Sequence, residues 1–276
     1  MAEKPQFDPQ AFKDFERTGW QGVAGDYGDS FAVFTNQAVP HLLEATGVAP
    51  GARVLDVACG PGFATAAAQS RGAEATGVDF AENMLAEARR VNPGPDYRFG
   101  DAENLSFAED TFDAVLCNFG ILHFPFPERA IGEAFRVLKR GGRFAFTDWC
   151  GPEESPYFSL LLGAMQAHGD MTVPLPTGPP MFRFSRVEEA KKVLVAAGFA
   201  EPNAQVLPIT SKWTNAAEVM GVFFSGTVRM GTLLRAQTAD ALEKIDREMR
   251  EKALEFKSGE EYRIPIPALM GSAHKP

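Results

Sequence analysis

The chain has 276 residues, 45% of them apolar, with 36 acidic against 27 basic side chains and a formal net charge of −9. That length buries a sizeable core, as one large domain or a domain with a cap. The acidic balance argues against a nucleic-acid binder and a polybasic membrane anchor, both of which need concentrated Lys and Arg, and no apolar run approaches the roughly 18 to 20 residues that cross a bilayer.

The opening MAEKPQFDPQ is charged and broken by prolines, unlike a secretory signal. FDPQAFKDFERTGW then reads as a helix, with Pro9 suited to its first turn after Asp8. A second helical stretch, DSFAVFTNQAVPHLLEATG, follows, which Pro40 kinks or restarts and Gly47 ends, with Trp20 and Tyr27 in WQGVAGDYGDS just before it. From residue 52 short apolar runs alternate with helical segments, the pattern of βαβ units and a parallel sheet. Strands are expected at Arg53 to Ala58, Ala75 to Asp79, Tyr97 to Gly100, Asp113 to Asn118 and Arg143 to Asp148. Helices fall near 63–70, 81–91 and 127–139, the last closed by Lys139-Arg140-Gly141-Gly142. Residues 151–182 are proline-rich and read as a long functional loop. A helix at 186–198, a strand at Ala204 to Thr210, two or three helices over Ala216 to Lys257 and a last strand in RIPIPALMG complete the chain. The prolines of that strand suggest an irregular or edge position.

The three cysteines, Cys59, Cys117 and Cys150, are widely spaced, with no Cys-x-x-Cys and no Cys/His cluster. Neither a disulfide framework nor a metal site is expected, and a reducing cytoplasm is the simplest compartment.

The most informative segment is VLDVACGPGFAT, residues 54–65. A strand ends, a Gly-Pro-Gly turn follows and a helix begins. Glycines there let the backbone approach a ligand, and the helix N-terminus offers free N–H groups. Asp79 ends the next strand, 19 residues after Gly60, where an acid hydrogen-bonds ribose hydroxyls. The pattern Gly60-x-Gly62-x-x-Thr65 lacks the third glycine of a dinucleotide fingerprint. Asp56 on the strand suits a cationic amino-acid moiety better than a pyrophosphate, although it also reads as a simple acceptor for loop amides.

VLDVACGPGFAT, GVDFAENML, GDAENLSFAEDTFDAVLCNFGILHFP and RVLKRGGRFAFTDW together resemble the successive motifs of class I S-adenosylmethionine-dependent methyltransferases, above all the ubiquinone/menaquinone-biosynthesis type. The resemblance covers about residues 50–150. It implies an α/β, Rossmann-like seven-stranded sheet of order 3-2-1-4-5-7-6, with the last strand antiparallel. Residues 1–276 would then form a single domain: an N-terminal helical cap at 1–48, a cofactor-binding core at 49–150, and helical lid insertions with the last two strands at 151–276. By position, the resemblance places Ala58, Gly60 and Gly62 around the methionine moiety with Asp56 behind them. It puts Asp79 on the ribose, Phe80 and Met84 beside the adenine, Asp101 and Ala102 at the adenine edge, and Asn118 and Phe119 near the sulfonium. Phe80 and Met84 read equally well as packing residues, and Asp101 as a turn cap.

Methyl transfer from a sulfonium is an in-line displacement, and a base is needed only if the acceptor must lose a proton. His123, after the fourth strand, is the first candidate base, with a structural role the competing reading. His168 is the second, and Asp148 ends the fifth strand near the same rim. Tyr27, with Trp20 in the N-terminal segment, is a candidate for touching cofactor or substrate. Phe158, Leu160, Leu161, Leu162, Met165, Phe182, Phe184, Phe223 and Phe224 lie in the insertions, as pocket walls or as packing. The expected reaction is methylation at O, N or C of a small, largely apolar molecule by a monomer or homodimer. An S-adenosylmethionine-binding protein of non-methylating activity and a nicotinamide-dependent oxidoreductase are the alternatives.

Overall fold

Near-continuous burial in the short apolar runs and three-to-four-residue burial in the helices between them build a three-layer structure, seen in a computed structural model that describes residues 7–276. Residues 1–6, on which the signal-sequence reading partly rests, lie outside the described residues. The strands are β1 (Arg53–Val57), β2 (Glu74–Asp79), β3 (Asp96–Phe99), β4 (Phe112–Cys117), β5 (Leu138–Trp149), β6 (Ala200–Leu207) and β7 (Ala268–His274). They form one seven-stranded sheet of order 3-2-1-4-5-7-6. The first five are parallel and β7 runs antiparallel to both β5 and β6, as the resemblance implies.

The helices are α1 (Pro9–Tyr27), α2 (Val39–Ala45), α3 (Phe63–Ser70), α4 (Glu82–Val91), α5 (Pro127–Val137), α6 (Pro156–His168), α7 (Val187–Ala196), α8 (Glu218–Gly226), α9 (Arg229–Arg235) and α10 (Ala239–Ala253). Asp8 starts α1 by accepting from the amides of Gln10 and Ala11, and Pro9 occupies the first turn. Alternating strand residues serve two cores. Val54, Ala114, Leu116 and Ala145 meet α2, α3, α6 and the C-terminal helices, whereas Leu55, Val57, Val115, Phe144 and Phe146 meet α5 and α7.

Several expectations need correction. The Lys139-Arg140-Gly141-Gly142 run does not close a helix, because α5 ends at Val137 and β5 begins at Leu138. Gly141 has φ +78°, and the β4–β5 register shifts between Phe112 and Ala114, so these glycines serve a bulge. A Cβ on Gly142 would lie 2.8 Å from the Lys139 carbonyl. β7 is not an edge: it lies between β5 and β6, and Pro265 and Pro267 precede it, so neither removes a ladder donor. The sixth strand lies at 200–207, earlier than expected, and forms the sheet edge. The proline-rich stretch contains a regular element after all, the thirteen-residue α6, capped by Ser155. α1 extends beyond the expected FDPQAFKDFERTGW, through Trp20 to Tyr27.

Leu116, wholly buried on the central strand β4, measures how far the sheet depends on this packing. Leu116→Ala should cost about 2–5 kcal/mol, lowering the urea midpoint with an unchanged slope. An unmoved midpoint would contradict the assignment of Leu116 to a tightly packed core.

Candidate functional site

Parallel strands leave a crevice at their carboxyl ends, and here it opens beyond β1, β2 and β4. Asp56, Ala58 and Gly60 line it from β1 and its turn, Asp79, Phe80 and Met84 from β2 and α4, and Asn118 and Phe119 from the loop after β4. The cavity has about 650 Å³ of space between atoms, part of it open to solvent. Ala58 and Phe119 hold φ of +56° and +55°, left-handed conformations that non-glycine residues avoid. Such strain costs of order 1–3 kcal/mol and persists only where the surroundings impose it. Gly60, at φ +52°, has open space where a Cβ would project, so its backbone forms the cavity floor.

Two carboxylates dominate the electrostatics. Asp79 accepts from the amides of Gly60 and Ala81, both at 2.9 Å, and so ties the β1 turn to the β2 end. Asp56 accepts from the Thr65 hydroxyl at 2.6 Å through one oxygen, while its other oxygen, Oδ1, is buried with no partner among the described residues. Burial pushes Asp56 up to about 7, its Thr65 hydrogen bonds oppose this, and the Asp79 charge adds to it. Burial likewise raises Asp79 to about 6 against the amides that bond it and the nearby His123.

A second chamber of about 470 Å³ adjoins the first, and Trp20, Tyr27, Thr35, Phe119 and His123 line both. Its further walls are Phe31, Leu122, Trp149, Phe158, Met181, Val228 and Met230, with Arg229 at one side. Phe119 stacks on Trp149 with centroids 3.9 Å apart, and Phe31 and Phe158 meet Trp149 edge-on. The Tyr27 hydroxyl lies 3.2 Å from the Thr35 hydroxyl, and burial pushes the phenol up to about 12. At the boundary, His123 Nδ1 lies 2.9 Å from Glu16, and the Trp20 ring stands edge-on 4.8 Å away. The Arg229 Nε donates to the other Glu16 oxygen at 2.7 Å. Burial raises the Glu16 pKa, but His123 and Arg229 outweigh it and hold the carboxyl below its ordinary value.

Most residues expected at the site meet there: Tyr27, Asp56, Ala58, Gly60, Asp79, Phe80, Met84, Asn118, Phe119 and His123 all line the first cavity. Asn118 is fixed by donating to the Thr35 carbonyl and accepting from Thr147. Gly62 does not line it: at φ +79° it caps α3, and a Cβ there would lie 2.3 Å from the Tyr97 hydroxyl. Asp101 and Ala102 line a smaller side pocket that shares Ala58, Asp79, Phe80 and His123 with the main cavity. There Asp101 is paired with Lys13 at 2.7 Å. His168 lines neither chamber; it pairs with Glu248 at 2.6 Å on the surface. Asp148 is buried beneath the rim, accepting from the amides of Trp149 and Phe184. Of the nine apolar insertion residues, only Phe158 lines the second chamber, and the others pack the cores. Glu16 and Arg229 were not foreseen. The readable signal for Glu16 is an acid on the buried stripe of α1, with Phe12, Val23 and Ala24.

The comparisons with known proteins agree with this geometry. Residues 55–146 match a family described as a methyltransferase domain. The chain carries a class I S-adenosylmethionine-dependent methyltransferase domain. A demethylmenaquinone methyltransferase of Renibacterium salmoninarum is 36% identical over 130 residues, 46% of this chain and 55% of the relative. The chain spans about half the length of the curated relatives it matches first. A sterol 24-C-methyltransferase of Yarrowia lipolytica is 27% identical over 256 residues, 84% of this chain and 65% of that one. In fold, the chain is similar to a Haemonchus contortus phosphoethanolamine N-methyltransferase solved with S-adenosylmethionine. The TM-score is 0.57 at 20% identity, covering 96% of this chain and 60% of that one.

S-adenosylmethionine is the cofactor of this methyltransferase domain, and the residues present suit it. The unpartnered Asp56 oxygen and the nearby Asp79 are acids that only a cation would fully compensate. Without that cation the raised carboxyls bind protons more tightly in the folded than in the unfolded chain. Their contribution is therefore fully present at low pH and is lost as pH rises from about 4 through about 7. Asp56→Asn should accordingly raise the melting temperature of the ligand-free protein at pH 8, by about 2–4 °C per kcal/mol recovered, and change it little at pH 5. An equal effect at both pH values in thermal melts would show that Asp56 is not strained by its charge.

Proposed function

We propose that the chain transfers a methyl group from S-adenosylmethionine to a small, largely apolar acceptor held in the second chamber. The observation that carries this reading is the continuity of two unlike chambers across one shared wall. The acidic chamber suits a cationic nucleoside, the aromatic one suits an apolar ring, and Trp20, Tyr27, Thr35, Phe119 and His123 belong to both. The cofactor supplies an electrophilic methyl carbon, which takes the acceptor's electron pair as the carbon–sulfur pair stays on sulfur.

The chain's residues then bind, orient and exclude water. Asp56 faces the cationic amino-acid end, over the backbone of Ala58 and Gly60. Asp79, with both oxygens already amide-bonded, accepts the ribose hydroxyls on its remaining lone pairs. Phe80 and Met84 flank the adenine, Ala102 and the Lys13-paired Asp101 close its edge, and Asn118 and Phe119 hold the boundary. The names of the menaquinone and sterol relatives, both with apolar acceptors, support the same substrate class. Residues 1–276 act as one domain, capped by 1–48 and covered by the 151–276 insertions. The three buried free cysteines suit a reducing, cytoplasmic compartment.

Calorimetry tests this reading: S-adenosylmethionine and S-adenosylhomocysteine should both bind in the micromolar range. Asp79→Ala should weaken both by at least about tenfold, the worth of a charge-assisted hydrogen bond, whereas His123→Ala should change them little. No heat and no thermal shift at near-millimolar cofactor would overturn the function, and equal losses in the two variants would overturn the division of roles.

A further inference from the structure

The second chamber has an unusual polar end. Among the described residues, its charged or basic lining groups are His123 and Arg229, with the Tyr27 phenol beside them and no carboxylate in its walls. Each nitrogen of Arg229 is held: Nε donates to Glu16 at 2.7 Å, Nη2 to the Leu122 carbonyl at 2.9 Å and Nη1 to the Pro179 carbonyl at 3.1 Å. Its charge is paired with Glu16 behind the wall, so the chamber offers an ammonium acceptor no free carboxylate among the described residues. Glu16 lines neither chamber and is wholly buried, so it acts on the acceptor only through His123. With Nδ1 held by Glu16, Nε2 is the ring nitrogen left for a ligand, and it has no hydrogen-bond partner among the described residues. The Trp20 ring against the imidazole limits its rotation.

We propose that the acceptor is an aromatic hydroxyl compound seated between the aromatic walls with its O–H toward His123, and that His123 removes the proton while Glu16 and Arg229 position it. This rests on the methyl-transfer reading above. The O–H bond breaks with its electron pair left on oxygen, and the proton moves to Nε2. The resulting imidazolium keeps its Nδ1–H bond to the Glu16 carboxylate, and the phenolate oxygen carries the pair that attacks. Acidity favours the aromatic class. A phenol, with a pKa of about 10, gives up its proton far more readily than a hydroxyl with the acidity of water, so it asks least of the base. The groups facing His123 are Glu16 on α1, Arg229 on α9, Asp79 at the β2 end, Tyr27, and Lys13 across the side pocket.

The probe is 4-nitrophenol, whose phenolate absorbs visible light and whose phenol does not. It is titrated with pH in the presence of S-adenosylhomocysteine, so that no sulfonium charge favours the anion. Bound to the wild-type protein it should ionise at least about tenfold more readily than in free solution. His123→Gln should still bind the probe but return its ionisation to the free value, and Glu16→Gln should fall between. Glu16→Asp should recover part of the shift, which a purely structural role for Glu16 would not predict. Three results would overturn the proposal: no probe binding at millimolar concentration, binding with unchanged ionisation in the wild type, or the same shift in His123→Gln. Failure of S-adenosylhomocysteine to bind would count against the methyl-transfer reading, and the probe titration can then be read without it.

Discussion

The constraint on which the rest of the site depends is the burial of two carboxylates, Asp56 and Asp79, at the ends of adjacent strands. Parallel pairing sets Val57 beside Val78, so these strand ends converge on the same turn. Neither acid is matched by a cation: Thr65 satisfies one oxygen of Asp56, and backbone amides bond Asp79. Burying charge without a counter-ion is unfavourable, and a fold retains such an arrangement where a ligand completes it. The strained backbones of Ala58 and Phe119, both lining the same cavity, are a second stability cost concentrated at one place.

A separate charge cluster organises the acceptor side and is fully compensated. Glu16 of α1 joins His123, from the loop after β4, to Arg229 of α9, and Arg229 reaches the carbonyl of Pro179 in the proline-rich stretch. Four segments remote in sequence are thereby fixed around one boundary between the two chambers. The contrast in charge is physical: the cofactor side lacks a cation that its ligand carries, whereas the acceptor side is self-sufficient and apolar.

What the sequence made legible follows from the range of the interactions involved. The β1 turn, Asp79, Phe80 and Met84 are set by local strand–turn–helix geometry, which spacing reports, and of the expected cofactor residues all but Gly62, Asp101 and Ala102 line the first cavity. The sheet order, with its internal last strand, followed from the family resemblance and agrees with the structure, whereas the prolines alone, which lie just before the strand, pointed to an irregular or edge position. Glu16 and Arg229 are 213 residues apart, so no local pattern joins them. Only an acid on the buried stripe of α1 hinted at a distant partner. Of the insertion residues read as pocket walls or as packing, most seal the cores, while Phe158 joins Phe31, Phe119 and Trp149 in the chamber walls.

The central claim is that Asp56 and Asp79 are held ready for a cation. Proton release on cofactor binding tests it most directly, by calorimetry near pH 6.5 in buffers of different ionisation enthalpy. Cation binding favours the ionised carboxyls, so S-adenosylmethionine should expel protons, and its affinity should rise as pH increases from about 5.5 to about 7.5. Binding with no proton exchange, or with net proton uptake, would contradict the account.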